Sequence, residues 1–115
     1  MLGSAIFSLM LIQGFENSPG LACTVNLVRH EDIILITGMI KGEPGQSGWY
    51  QMDTLSRSGS SKSVSRQSGK FHIDADGEVA LGQSMIGASV GTAVAVEIIG
   101  KSDQAHESFD CRVDT

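Results

Sequence analysis

Apolar and polar residues alternate in one short run after another along this chain, and no stretch shows the three-to-four-residue spacing of an amphipathic helix. CTVNLVR places Cys23, Val25 and Leu27 on one side and Thr24 and Asn26 on the other. DIILITGMIK is apolar on both sides, the pattern of a strand covered on both faces or paired along both edges. In the run from Trp49 to Arg57, Tyr50, Met52 and Thr54 share a side, which is expected to face inward. EVALGQSM turns Val79 and Leu81 inward, AVAVEII does so with Val94, Val96 and Ile98, and AHESFDCRV with Phe109, Cys111 and Val113. Gly, Ser and Pro clusters separate these runs at intervals of about eight to twelve residues, so the chain reads as an all-β, immunoglobulin-like antiparallel β-sandwich of seven to eight strands.

A chain of 115 residues supports one domain with a small core, and small cores gain much from a covalent tie. The first and last strands of an immunoglobulin-like sandwich lie near one another, which would let Cys23 and Cys111 meet. Closing so long a loop stabilises a fold by roughly 4 to 5 kcal/mol in the chain-entropy model. The bond requires an oxidising compartment, and the alternative is a pair of buried thiols in a reducing one.

Residues 1–22 read as a signal peptide or a disordered extension, leaving 23–115 as the folded domain. The apolar run AIFSLMLI is followed by the turn-forming QGFENSPGLA, although no Lys or Arg precedes it and no A-x-A site follows. Gly20 to Cys23 approaches a lipoprotein box, with Leu21 one place too late. The run falls short of the roughly 20 residues that cross a bilayer, so no membrane insertion of the mature protein is expected.

Charge is distributed unevenly. Between Asp53 and Asp74 there is no carboxylate, yet Arg57, Lys62, Arg66 and Lys70 all fall there, four of the eight basic residues in a chain of formal charge −5. The rest of the chain therefore carries −9, and a basic region sits on an acidic body. Within it, SGSS reads as a turn, SKSVSRQ as an edge strand, QSG as a second turn and KFHI as a return to the core through Phe71 and Ile73. Cations on an edge strand keep other strands from adding to it; they also make a docking surface for an acidic or amyloid-prone partner. The outward side of the preceding strand adds Trp49, Gln51 and Leu55.

No constellation for catalysis is visible. His30, His72 and His106 are scattered and lack an H-x-H pair, so no metal site is expected, and there is no C-x-x-C dithiol. Asp74, Asp76, Gly77 and Glu78 begin like a calcium loop but lack its later ligands, and turn chemistry accounts for them. An acidic chain with few aromatic residues in its basic region is not expected to bind nucleic acid. A non-enzymatic protein without cofactors is the expectation.

The stretch from Tyr50 to Ile86, with LSRSGSSKSVSRQ, KFHID and DGEVALGQSMIG, resembles the CsgC and CsgH proteins of curli systems. The likeness is nearer to CsgH, through G-W-Y, Q-S-G-K-F and the terminal cysteine pattern. It implies a small periplasmic immunoglobulin-like chaperone, monomeric, that inhibits premature amyloid assembly of curli-type subunits by transient surface contacts. CsgC carries a C-x-C where this chain has Ser47, Gly48 and Trp49, so a redox role does not carry over. Of the basic positions, only Arg57 falls where CsgC also has Arg. Lys62, Arg66 and Lys70 join it, with Trp49, as client-binding candidates on charge and exposure alone. The alternative is a generic immunoglobulin-like adhesion or assembly module.

Overall fold

The computed structural model describes residues 10–18, 21–87, 91–104 and 107–115, with 10–18 given as backbone alone. Eight strands run through the described residues: β1 (Met10–Ser18), β2 (Leu21–His30), β3 (Ile33–Gly42), β4 (Ser47–Ser58), β5 (Ser61–His72), β6 (Glu78–Gly87), β7 (Ala93–Ser102) and β8 (Ser108–Asp114). They form two antiparallel four-stranded sheets, ordered β1-β2-β3-β6 and β5-β4-β7-β8. The expected β-sandwich is the observed fold.

Alternation decides what lies between the sheets. Cys23, Val25, Ile36, Ile40, Ile73, Ile98 and Cys111 are wholly buried, and Phe71 meets Phe109 edge to face with ring centroids 5.8 Å apart. Each fully buried Val, Ile or Phe contributes roughly 1.5–3 kcal/mol over leaving it exposed. Tyr50, Met52 and Thr54 face inward, as their spacing requires. So do Val94, Val96, Phe109 and Val113. The doubly apolar DIILITGMIK is β3, paired with β2 on one edge and β6 on the other. Cys23 on β2 and Cys111 on β8 form a disulfide with Cα atoms 5.8 Å apart, tying one sheet to the other.

A bulge lies where Gly38 pairs with Gly82 and Met39 with Ala80, leaving Leu81 as the extra residue. Val79 packs on the core and Leu81 is buried before this point, while Ile86 reaches the core after it, because one added residue reverses which parity points inward. The two-residue turn between β2 and β3 places Glu31 at φ 57°, the left-handed conformation that short hairpin turns demand.

One sequence expectation needs adjustment. The second turn expected at QSG does not form: β5 runs unbroken from Ser61 to His72, paired with β4 over its whole length. Gly69 serves packing instead, since a Cβ there would stand 3.3 Å from the Tyr50 ring. Two strands meet near the boundary expected at Cys23. β2 begins at Leu21, and Met10–Ser18 pairs along it with Leu11 opposite Leu27 and Phe15 opposite Cys23. Residues 1–9, 19–20 and His106 lie outside the described residues, as does most of the apolar run AIFSLMLI.

Candidate functional site

Residues directly opposite one another in an antiparallel pair project from the same face, so register alone assembles the outward face of β5-β4-β7-β8. At one end Lys70, Trp49 and Lys101 stand side by side across β5, β4 and β7. Next come Ser68, Gln51, Ile99 and Asp110, then Arg66, Asp53, Glu97 and Arg112. Val64, Leu55, Ala95 and Asp114 form the fourth row, and Lys62, Arg57 and Ala93 close the face beside the β4–β5 turn. Trp49, Arg57, Lys62, Arg66 and Lys70, singled out in the sequence, all share this face.

Their surroundings differ. Arg66 donates from Nε to Asp53 Oδ1 at 2.8 Å and from Nη2 to Oδ2 at 3.3 Å, a two-pronged pair at the centre of the face. The hydrogen bond to Asp53, and secondarily its charge, raises the pKa of a guanidinium that is already permanently protonated. Gln51 Nε2 donates to the same carboxylate at 3.5 Å. By contrast, Arg57 lies directly opposite Lys62, and neither makes an ion pair among the described residues. Like charges placed opposite each other destabilise a sheet, so this end of the face is electrostatically unfinished. Trp49 is 44% exposed between two lysines, and Val64 is 67% exposed.

Lys101 and Arg112 belong to the same face and lie outside the basic window of the sequence. Their outward parity is legible, since Arg112 falls between buried Cys111 and Val113. Which strands they would stand beside depends on sheet order, and no local pattern reveals that. On β5 the cations do line an edge, as the sheet order places that strand outermost. Its middle is held to the other sheet, because Gln67 Nε2 donates to the Gln83 carbonyl at 3.1 Å and to Ser84 Oγ at 2.6 Å.

His30 and His72 are exposed and separate. Among the described residues, no three His, Cys, Asp or Glu side chains converge as metal ligands. Asp74 to Gly77 is a turn: Asp74 Oδ1 accepts from the Asp76 amide at 3.0 Å and its carbonyl from the Gly77 amide at 3.0 Å. No helix among the described residues is long and apolar enough to cross a membrane.

The sheet order, the inter-sheet disulfide and the charged outer face define an immunoglobulin-like sandwich in which β2, β3 and β6 oppose β5, β4, β7 and β8. Among solved structures it is similar to CsgH from R. palustris, with a TM-score of 0.68 and 18% identity over 82% of this chain and 91% of that one. It is also similar to the E. coli curli protein CsgC, with a TM-score of 0.59 and 20% identity over 76% of this chain and 94% of that one. At these identities the likeness is one of fold, and at that level it supports the CsgH- and CsgC-like resemblance read from the sequence. No protein-family model matches the chain, and no curated protein sequence does.

Proposed function

We propose that this protein is a periplasmic, non-enzymatic chaperone that keeps curli-type amyloid subunits from assembling early, acting as a monomer through transient contacts. The single observation carrying the reading is the outward face of β5-β4-β7-β8, where Arg57, Lys62, Lys70 and Lys101 lack ion-pair partners among the described residues and flank exposed apolar groups. The fold likeness to a curli protein gives that face its candidate client. Long-range attraction speeds encounter with an acidic segment, and weak contact disfavours the strand stacking by which cross-β fibres grow. Arg57, Lys62, Lys70 and Trp49 make the principal contacts; Arg66, already held by Asp53, contributes least.

The disulfide fits an oxidising compartment outside the cytoplasm. On this reading residues 1–22 are an export signal, and β2 becomes the outer strand of its sheet in the mature chain. The mass of protein recovered from the periplasm checks this, and a chain still carrying Met10–Ser18 would refute it.

The functional test is fibrillation lag time of a curli-type subunit against added protein, at low and high salt. Arg57→Glu with Lys62→Glu should shorten the lag relative to the unmodified protein. Salt at 0.1 M should weaken the unmodified protein in the same direction, since exposed charges more than about 10 Å apart are then largely screened. Undiminished inhibition by the folded double variant at low salt would refute the electrostatic mechanism and move the client site elsewhere, and no inhibition by the unmodified protein would favour the adhesion or assembly module.

A further inference from the structure

We infer that the charged face contains a two-part peptide groove, which takes a bulky apolar side chain together with a carboxylate two residues away in an extended segment. This rests on the proposed function of the face and specifies what it recognises.

The groove lies over the row Val64, Leu55 and Ala95. It is a shallow depression of about 180 Å³ floored by Leu55 and Ala95, with Val64 on one side and Asp53 and Arg66 on another. A second depression shares Leu55 and Ala95 and continues to Arg57, Ala93 and Asp114. Small alanines on β7, beside larger residues on β4 and β5, create the trough. Its apolar floor is on the water side of the sheet, where burying a ligand's apolar side chain is favourable.

Rows on one face of a sheet are two residues apart, roughly 7 Å, and alternate side chains of an extended peptide have the same spacing. A peptide lying along β4 and β5 with an apolar side chain in the trough therefore projects its next same-side residue over Arg57 and Lys62. These two cations face each other without an ion pair among the described residues, and a carboxylate between them relieves their repulsion. In the opposite direction, the next same-side residue reaches Arg66 and Asp53, which satisfy each other and favour an uncharged polar group. Asp114, at the β8 end of the apolar row, repels a carboxylate and confines the peptide to the β4–β5 side. The occupant is thus an acidic, apolar, extended peptide.

The test uses fluorescent synthetic heptapeptides in a Ser and Gln background, each with one Phe and one Asp separated by one, two or three positions. Anisotropy titration at low salt should show tightest binding at a separation of two, by about tenfold over one or three. Ala95→Leu, which fills the trough, should reduce every peptide to the level of one lacking Phe, and Val64→Ser should weaken the Phe contribution in part. Arg57→Glu with Lys62→Glu should abolish the advantage of Asp. Binding indifferent to separation, or untouched by Ala95→Leu with the fold intact, would overturn the groove. A concentration-dependent dimer removed by Ala95→Leu would show a second copy of this chain to be the occupant and would also overturn it. Fibrillation separates the two readings: inhibition lost with the charge variant but kept by Ala95→Leu refutes the groove and leaves the charged face standing. Spacing-dependent peptide binding without any inhibition keeps the groove and refutes the face's action on fibres.

Discussion

The two sheets of this sandwich turn nearly opposite outer faces to water. Six of the eight basic residues project from β5-β4-β7-β8, together with Asp53, Glu97, Asp110 and Asp114. The outer face of β2-β3-β6 is almost uncharged: Val28, Leu35 and Met85 share one row, Asn26, Thr37 and Gln83 the next, and Thr24, Met39 and Ala80 a third. Only Lys41 and Glu78 at one end, facing each other, and His30 at the other break the pattern. Both faces hang on the same alternation of buried residues, so core formation does not account for the difference. A chain of net charge −5 thus gathers most of its cations on one sheet, on the side that meets water.

The comparison holds only while the two faces are the backs of one rigid sandwich, and the largest effect should come from cutting their tie. Cys111→Ala with Cys23→Ala should lower stability by about 4–5 kcal/mol in chemical denaturation. A loss under 1 kcal/mol would show that packing alone fixes one sheet on the other. A smaller loss, roughly 1–3 kcal/mol, is expected for Gly100→Ala behind the charged face, because the added Cβ runs into the Phe109 ring and the Trp49 carbonyl. Thermal melting measures it, and an unchanged midpoint would mean that β7 and β8 shift to make room.

Reversing a single charge should move stability the other way. Arg57→Glu turns a like-charged pair with Lys62 into an opposite pair and should stabilise the fold by about 0.2–1 kcal/mol while impairing client handling. A destabilised variant would show that Arg57 is held by an anion, with Asp114 in the same depression the candidate. The smallest effect should follow from placing a cation on the quiet face: Thr37→Lys should change stability by no more than about 0.5 kcal/mol and leave fibrillation lag unaltered. Altered lag in that variant would break the comparison and give the uncharged face a share in function.

Inward residues and strand identities were legible because a period of two marks them locally, as in Val94, Val96 and Ile98. The break expected at Gln67–Gly69 failed because a glycine signals either a turn or a close neighbour, and the neighbour, Tyr50, comes from another strand. The pairing of Met10–Ser18 is not legible locally for a related reason: its partners lie along β2, and its own sequence alternates poorly. At the candidate site, Trp49, Arg57, Lys62, Arg66 and Lys70 were readable as one local hairpin. Asp53 as the partner of Arg66, and Lys101, Ala95 and Arg112 as neighbours, became visible only once β7 was set beside β4 and β8 beside β7.

The bond between Cys23 and Cys111 spans a sequence separation of 88, joining β2 to β8. Its closure therefore has to wait until Cys111 on β8 has been synthesised. A chain cut short anywhere before Cys111 leaves Cys23 as a reduced thiol with no mate. The finished molecule has no free cysteine among its described residues. Thiol reactivity thus distinguishes a chain that has reached Cys111 from one cut short before it.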